Sequence, residues 1–147
     1  MRMSFRHALI LVASFVMVHP CLANDQDDAE SLATTFISRL TNGNLAQVYT
    51  DMMTARFRSV YTQQQFEQQI GVTRIQLSGA SRGAPTIVGS QRTFQDPMGQ
   101  QGDFYYIRCR GVYPAGTVLW DIWLQKVSSK WAVNGFFFAP APPQQPQ

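Results

Sequence analysis

Charge is scarce in this chain. Asp, Glu, Lys and Arg make up 14% of its 147 residues, against about a quarter in ordinary domains. That excludes a disordered polyelectrolyte and a chain built to coat nucleic acid. Histidine is scarcer still, with His7 and His19 both in the first twenty residues, and cysteine occurs only at Cys21 and Cys109. Long hydrophobic runs are absent. The longest, Ala8 to Val18 with Ser14 inside it, has about eleven residues, whereas a bilayer core needs about 20.

That run does fit a leader. Arg2 and Arg6 precede it without an acid, His19-Pro20 breaks it, and Cys21-Leu22-Ala23 ends on a small residue before Asn24-Asp25. A basic start, a short apolar run and a small-residue exit predict a secretory signal peptide over residues 1–23. The expected localisation is periplasmic or secreted, with no membrane anchor after cleavage. Cys21 follows Pro20 rather than a small residue, which argues against lipidation. Cleavage after Ala23 removes Arg2, Arg6, both histidines and Cys21, and most of the +3 net charge goes with them. Without histidine no Ser-His-Asp or Cys-His arrangement can form. One remaining thiol supports neither a usual zinc site nor an intramolecular disulfide. The expectation is no metal, no cofactor and no catalytic residue.

The remainder is long enough for one domain, expected over 24–139, with a disordered Pro/Gln tail over 140–147. Ala29, Leu32, Ala33, Phe36, Ile37 and Leu40 recur at helical spacing and predict an amphipathic helix. Asn42-Gly43 is its expected left-handed terminator, and Asn44 the cap of the next helix. Leu45, Val48, Tyr49, Met52 and Met53 predict that second, short helix. Thr62 to Gln65 forms a capping box for a third, with Phe66 and Ile70 inward, the glutamines solvated and Gly71 a weak point or end. From Ser78 the period moves towards two. Strands are expected over Pro85–Gln95 with a bulge at Gly89, then Asp103–Tyr113, Thr117–Val127 and Trp131–Ala139. Asp96-Pro97-Met98-Gly99 is a turn, lengthened by Gln100 to Gly102. Helices first and antiparallel strands after define an α+β class. The expected architecture is helices packed on a bent sheet of about four strands, a cone with a pocket at its open end.

Three motifs in order carry a resemblance: Phe66-x-x-x-x-Gly71-x-x-Arg74, Gly102-Asp103-Phe104-Tyr105 entering a strand, and Trp131-Ala132-Val133-Asn134-Gly135-Phe136-Phe137. Together they resemble the family of small secreted bacterial proteins called domain of unknown function 4019, over roughly Ala29 to Phe138. The chain departs from that family at Phe66, where a tryptophan-bearing helix is usual, and at Ser128-Ser129-Lys130, where the turn usually holds glycine. The resemblance implies a nuclear-transport-factor-like or cystatin-like fold and brings no activity with it.

The candidate binding residues are Tyr106, Arg108, Arg110, Asp121 and Trp123. Tyr106, Arg108 and Arg110 alternate along one strand and therefore share a face, opposite Tyr105, Ile107 and Cys109. A four-residue loop at Pro114–Thr117 sets Arg110 against Asp121, and a three-residue loop sets it against Trp120; the pattern leaves both open. One reading is an anion or carboxylate site, with guanidinium forks over an aromatic floor. The other is a solvated sheet face with a cross-strand ion pair and a cation–π contact. Among the other carboxylates, Asp96 and Asp103 are expected as turn formers and Glu67 as solvated. Cys109 is expected as a small buried hydrophobe, and Trp120, Trp123 and Trp131 as core.

The functional expectation is non-catalytic binding of a small ligand or an envelope protein partner. The alternatives are a small cone-fold enzyme of proton transfer or hydrolysis, and an accessory of an envelope assembly docking through its sheet and tail. No basic stripe for nucleic acid is present, and the sheet is the candidate surface for a homodimer.

Overall fold

The computed structural model describes residues 21–142, so residues 1–20 of the leader expected over 1–23 and the tail residues 143–147 lie outside the described residues. Four helices precede a four-stranded sheet, the expected α+β class. The helices are α1 (Cys21–Asn42), α2 (Leu45–Met52), α3 (Ala55–Val60) and α4 (Gln63–Leu77). The strands are β1 (Thr86–Gln95), β2 (Gln101–Tyr113), β3 (Gly116–Val127) and β4 (Lys130–Pro140). They form an antiparallel meander in the order β1-β2-β3-β4.

The apolar stripe of α1 is buried as its spacing demands: Ala29, Ala33, Phe36, Ile37 and Leu40 are sealed from solvent. Its end differs from expectation. Gly43 does not adopt a left-handed backbone; its N–H continues the helical ladder to the Arg39 carbonyl at 2.6 Å. Glycine is needed there for space, because a Cβ would sit 2.7 Å from that oxygen. Two further carbonyls at the terminus are taken by Arg74 of α4. Its guanidinium donates to the carbonyls of Leu40 at 2.9 Å and Gly43 at 2.7 Å. A cation at a helix C-terminus meets both the orphan acceptors and the negative end of the dipole.

Asn44 caps α2 as expected. The short helix α3 has no counterpart in the sequence reading, because six residues are too few to establish a period. Thr54 starts it by accepting the Phe57 N–H, and the Thr54 N–H reaches the Val133 carbonyl of β4 at 2.9 Å. The Thr62–Gln65 capping box opens α4. This helix runs through Gly71 to Ser78, whose φ of 60° ends it. A helical glycine costs about 1 kcal/mol relative to alanine, and the buried Phe66, Ile70 and Leu77 on either side outweigh that.

In the sheet, the bulge between Ile87 and Gly89 is present. Strand β2 begins at Gln101, within the segment expected as loop. The Phe104 ring lies across Gly102, where a Cβ would meet it at 2.8 Å. Both expected β2–β3 registers are wrong. The connection is a two-residue turn, Pro114-Ala115, so Tyr113 faces Gly116, Arg110 faces Leu119 and Arg108 faces Asp121. Gly116 has a φ of 136° and makes this tight reversal feasible. Strand β4 continues through Pro140, opposite Val118, and the Ala141 N–H donates to the Thr117 carbonyl at 2.9 Å. The first residues assigned to a disordered tail therefore belong to the sheet.

Alternation sorts the sheet into two faces. Tyr105, Ile107, Cys109, Trp120, Ile122 and Leu124 point to the helices and are buried. They join α1, α2 and α4 side chains in one hydrophobic core. Among the described residues, these side chains fill much of the space between the helices and the sheet. Inside it, Trp120 Nε1–H donates to the Tyr113 hydroxyl at 3.1 Å, which satisfies two buried polar groups together.

Candidate functional site on the outer sheet face

The five candidate residues stand together, but on the face turned away from the helices. Since β2 and β3 pair with Arg108 opposite Asp121, the guanidinium meets the carboxylate as a two-pronged fork. Nε to Oδ1 is 2.7 Å and Nη2 to Oδ2 is 2.9 Å. The Tyr106 hydroxyl donates to the same Oδ1 at 2.7 Å. Its ring packs against Trp123 at a centroid distance of 4.8 Å, and the Arg108 guanidinium lies 5.8 Å from the Tyr106 ring centre. The Arg108 side chain is 44% exposed and Asp121 22%, so this is a wet face with a cross-strand pair and a cation–π contact.

The electrostatics follow from those bonds. Hydrogen bonding from Arg108 holds the Asp121 carboxyl below the usual carboxylate range, against a smaller opposing effect of burial. Burial, and then the bond to Asp121, pushes the Tyr106 phenol above its ordinary value. Near neutral pH the carboxylate is ionised and fully engaged while the phenol keeps its proton. A general base works best with a pKa near the operating pH, and these shifts move the two groups apart from it.

Arg110 is placed differently. It projects from the same face opposite Leu119, is exposed, and makes no ion pair or side-chain hydrogen bond among the described residues. Phe137 of β4, opposite Asp121, is 64% exposed beside this site. Of the tryptophans, Trp120 is core, whereas Trp123 lies half-buried on the outer face and Trp131 packs edge-on against Tyr105 at 5.1 Å. Cys109 is a buried free thiol facing the core, and burial pushes its pKa up to about 12.

Two polar assemblies escaped the sequence reading. At one end of the sheet, Arg92 forks onto Asp103 at 2.8 and 2.6 Å and reaches Asp25 of α1 at 3.6 Å. Lys126 closes the chain on Asp25 at 2.7 Å. Asp103 is therefore an ion-pair partner within β2 and not a turn former. The second assembly centres on Asp96, whose side chain is 4% exposed. Its Oδ1 accepts the N–H groups of Met98 and Gln100, as a turn-forming aspartate does. Its Oδ2 accepts from Arg56 of α3 at 3.3 Å and from Asn134 of β4 at 3.5 Å. This clasp draws the β1–β2 hairpin tip across Trp123 to β4. Under the tip lies a pocket of about 170 Å³ walled by Pro97, Met98, Trp123, Phe136 and Phe137. A second pocket, about 250 Å³, lies between the start of α1 and the β3–β4 turn, lined by Asp25, Asp28, Leu32 and Trp131. The aspartate turn was visible locally. The clasp joins residues 40 and 38 positions apart, and no local pattern encodes that.

Among the described residues no group of three or more His, Cys, Asp or Glu is placed to hold a metal ion. No described helix is long and apolar enough to cross a membrane. Fold and site together define an α+β domain of helices on an antiparallel meander, with a paired and an unpaired arginine on its open face. Compared with protein-family models, curated proteins and solved structures, the chain matches none of them.

Proposed function

We propose that this chain is a secreted, periplasmic binding domain that engages a protein partner through its outer sheet face. The observation that carries this reading is the contrast across the sheet. The inner face is packed against helices, while the outer one presents exposed Phe137 and half-buried Trp123 towards one end and exposed Arg110 towards the other. Exposed aromatics and arginine are the residue types that dominate binding energy at protein interfaces. The leader pattern supports export, and helices before a four-stranded antiparallel sheet support kinship with domain of unknown function 4019 and its nuclear-transport-factor-like fold.

Native mass spectrometry of the protein from a periplasmic extract tests the reading. The expected result is a chain beginning at Asn24, bound to protein and free of small-molecule adducts. Leu119→Glu, beside Arg110 on the outer face, should dissociate the complex. A small-molecule adduct, or a complex indifferent to Leu119→Glu, would overturn the docking role.

A further inference from the structure

The outer face has an anchor pocket at one end and an unpaired cation at the other. The pocket under the hairpin tip has about 170 Å³, and an apolar cavity of about 150 Å³ already admits a benzene ring. Its walls are mainly apolar, and its polar members Asp96 and Asn134 are bonded to each other, to Arg56 and to Thr54. What it can take is therefore one apolar or aromatic side chain. Arg110 stands opposite Leu119, four positions along β3 from Trp123 in the pocket wall. At about 3.3 Å per residue that separation is about 13 Å along the strand. An extended chain spans it in four residues, and its side chains at i and i+4 point to the same side.

Charge decides between partners. On the outer face Arg108 is neutralised by Asp121, which leaves Arg110 uncompensated on β2 and β3 among the described residues. A complementary partner surface therefore carries an acid where it meets Arg110. We infer that the partner contributes an extended acidic segment. It seats an apolar side chain between Met98, Trp123 and Phe137, and an Asp or Glu four residues away pairs with Arg110. This rests on the docking role proposed above and names the chemistry of the partner.

Random dodecapeptides displayed on phage, panned on the full chain and counter-panned on Arg110→Glu, test the inference. The expected peptides carry Leu, Phe or Trp four residues from Asp or Glu. Their synthetic versions should lose at least tenfold in affinity on Arg110→Glu and on Phe137→Ser, and should weaken as salt rises. Both substitutions are at exposed positions, and circular dichroism confirms that the variants fold. Peptides without an acid, peptides that bind Arg110→Glu as tightly as the unaltered chain, or no enrichment would overturn the inference. So would a concentration-dependent dimer that Phe137→Ser removes, which would assign the face to a second copy. A native protein complex lost on Leu119→Glu but unchanged by Arg110→Glu would retain the docking face and discard the acidic segment.

Discussion

The two faces of one sheet meet opposite fates here, although they are made by the same strands. Along β2, Tyr105, Ile107 and Cys109 are buried under the helices, while Tyr106, Arg108 and Arg110 look outward. The inner face gains its stability from area removed from water, at about 25 cal/mol per Å². The outer face holds polar groups that remain hydrated, so each contact there is a small difference between protein and water partners. The same spacing of two residues thus separates a structural surface from one free to bind. Substitutions on the two faces should differ in effect several-fold.

The largest loss is expected on the inner face. Trp120→Ala removes a fully buried ring that also donates to Tyr113, and should cost about 3–5 kcal/mol in urea unfolding. Phe137→Ser on the outer face should cost no more than about 0.5 kcal/mol. Equal losses would break the distinction between the faces.

Next comes the clasp that folds the hairpin tip over the outer face. Asp96→Ala leaves two backbone N–H groups and Asn134 without their acceptor, and should cost about 1–3 kcal/mol. Because the clasp shapes the outer pocket, hydrogen exchange should rise over residues 96–100 while β3 stays protected. Uniform loosening of the sheet would show that the tip is not a separate unit.

Cys109 sharpens the picture of the inner face. Its thiol, pushed up to about 12 by burial, should resist alkylation in the native state at pH 8. The folded pKa lies above the unfolded one of about 8.5. The stability linked to this thiol is therefore complete below pH 8.5 and is lost as pH rises towards 12. Rapid native labelling would contradict a sealed core.

The smallest effect belongs to Asp121. Its folded pKa is depressed by Arg108, so its contribution is present above the unfolded value of about 3.9 and is lost as pH falls through the folded value. Arg108 is substantially exposed, and the pair should be worth no more than about 1 kcal/mol. Asp121→Asn should lower stability by that amount at pH 7 and converge with the unaltered protein in acid. A constant offset across pH would assign the effect to packing instead of charge.

Much of the fold was legible in the chain itself. The stripe from Ala29 to Leu40, the Thr62–Gln65 box and the Asp96–Gly99 turn rest on relations within a few residues, and the glycine itself signalled the bulge at Gly89. Local rules apply to such relations directly. The face shared by Tyr106, Arg108 and Arg110 was legible too, because strand alternation is local. Their partners were not. A two-residue turn, shorter than either expected loop, set Arg108 against Asp121 and left Arg110 opposite Leu119.

By itself the sequence determined the strands, the helices other than α3, the caps at Asn44 and Thr62, and which side chains share a face, because periods of 3.6 and 2 are properties of the backbone. Only the tertiary structure decided which face turns to the helices, and that Arg74, Arg92 and Asp96 find partners far along the chain. Those outcomes depend on packing between segments distant in sequence. There a one-residue change in a turn reassigns every cross-strand pair at little cost in local energy.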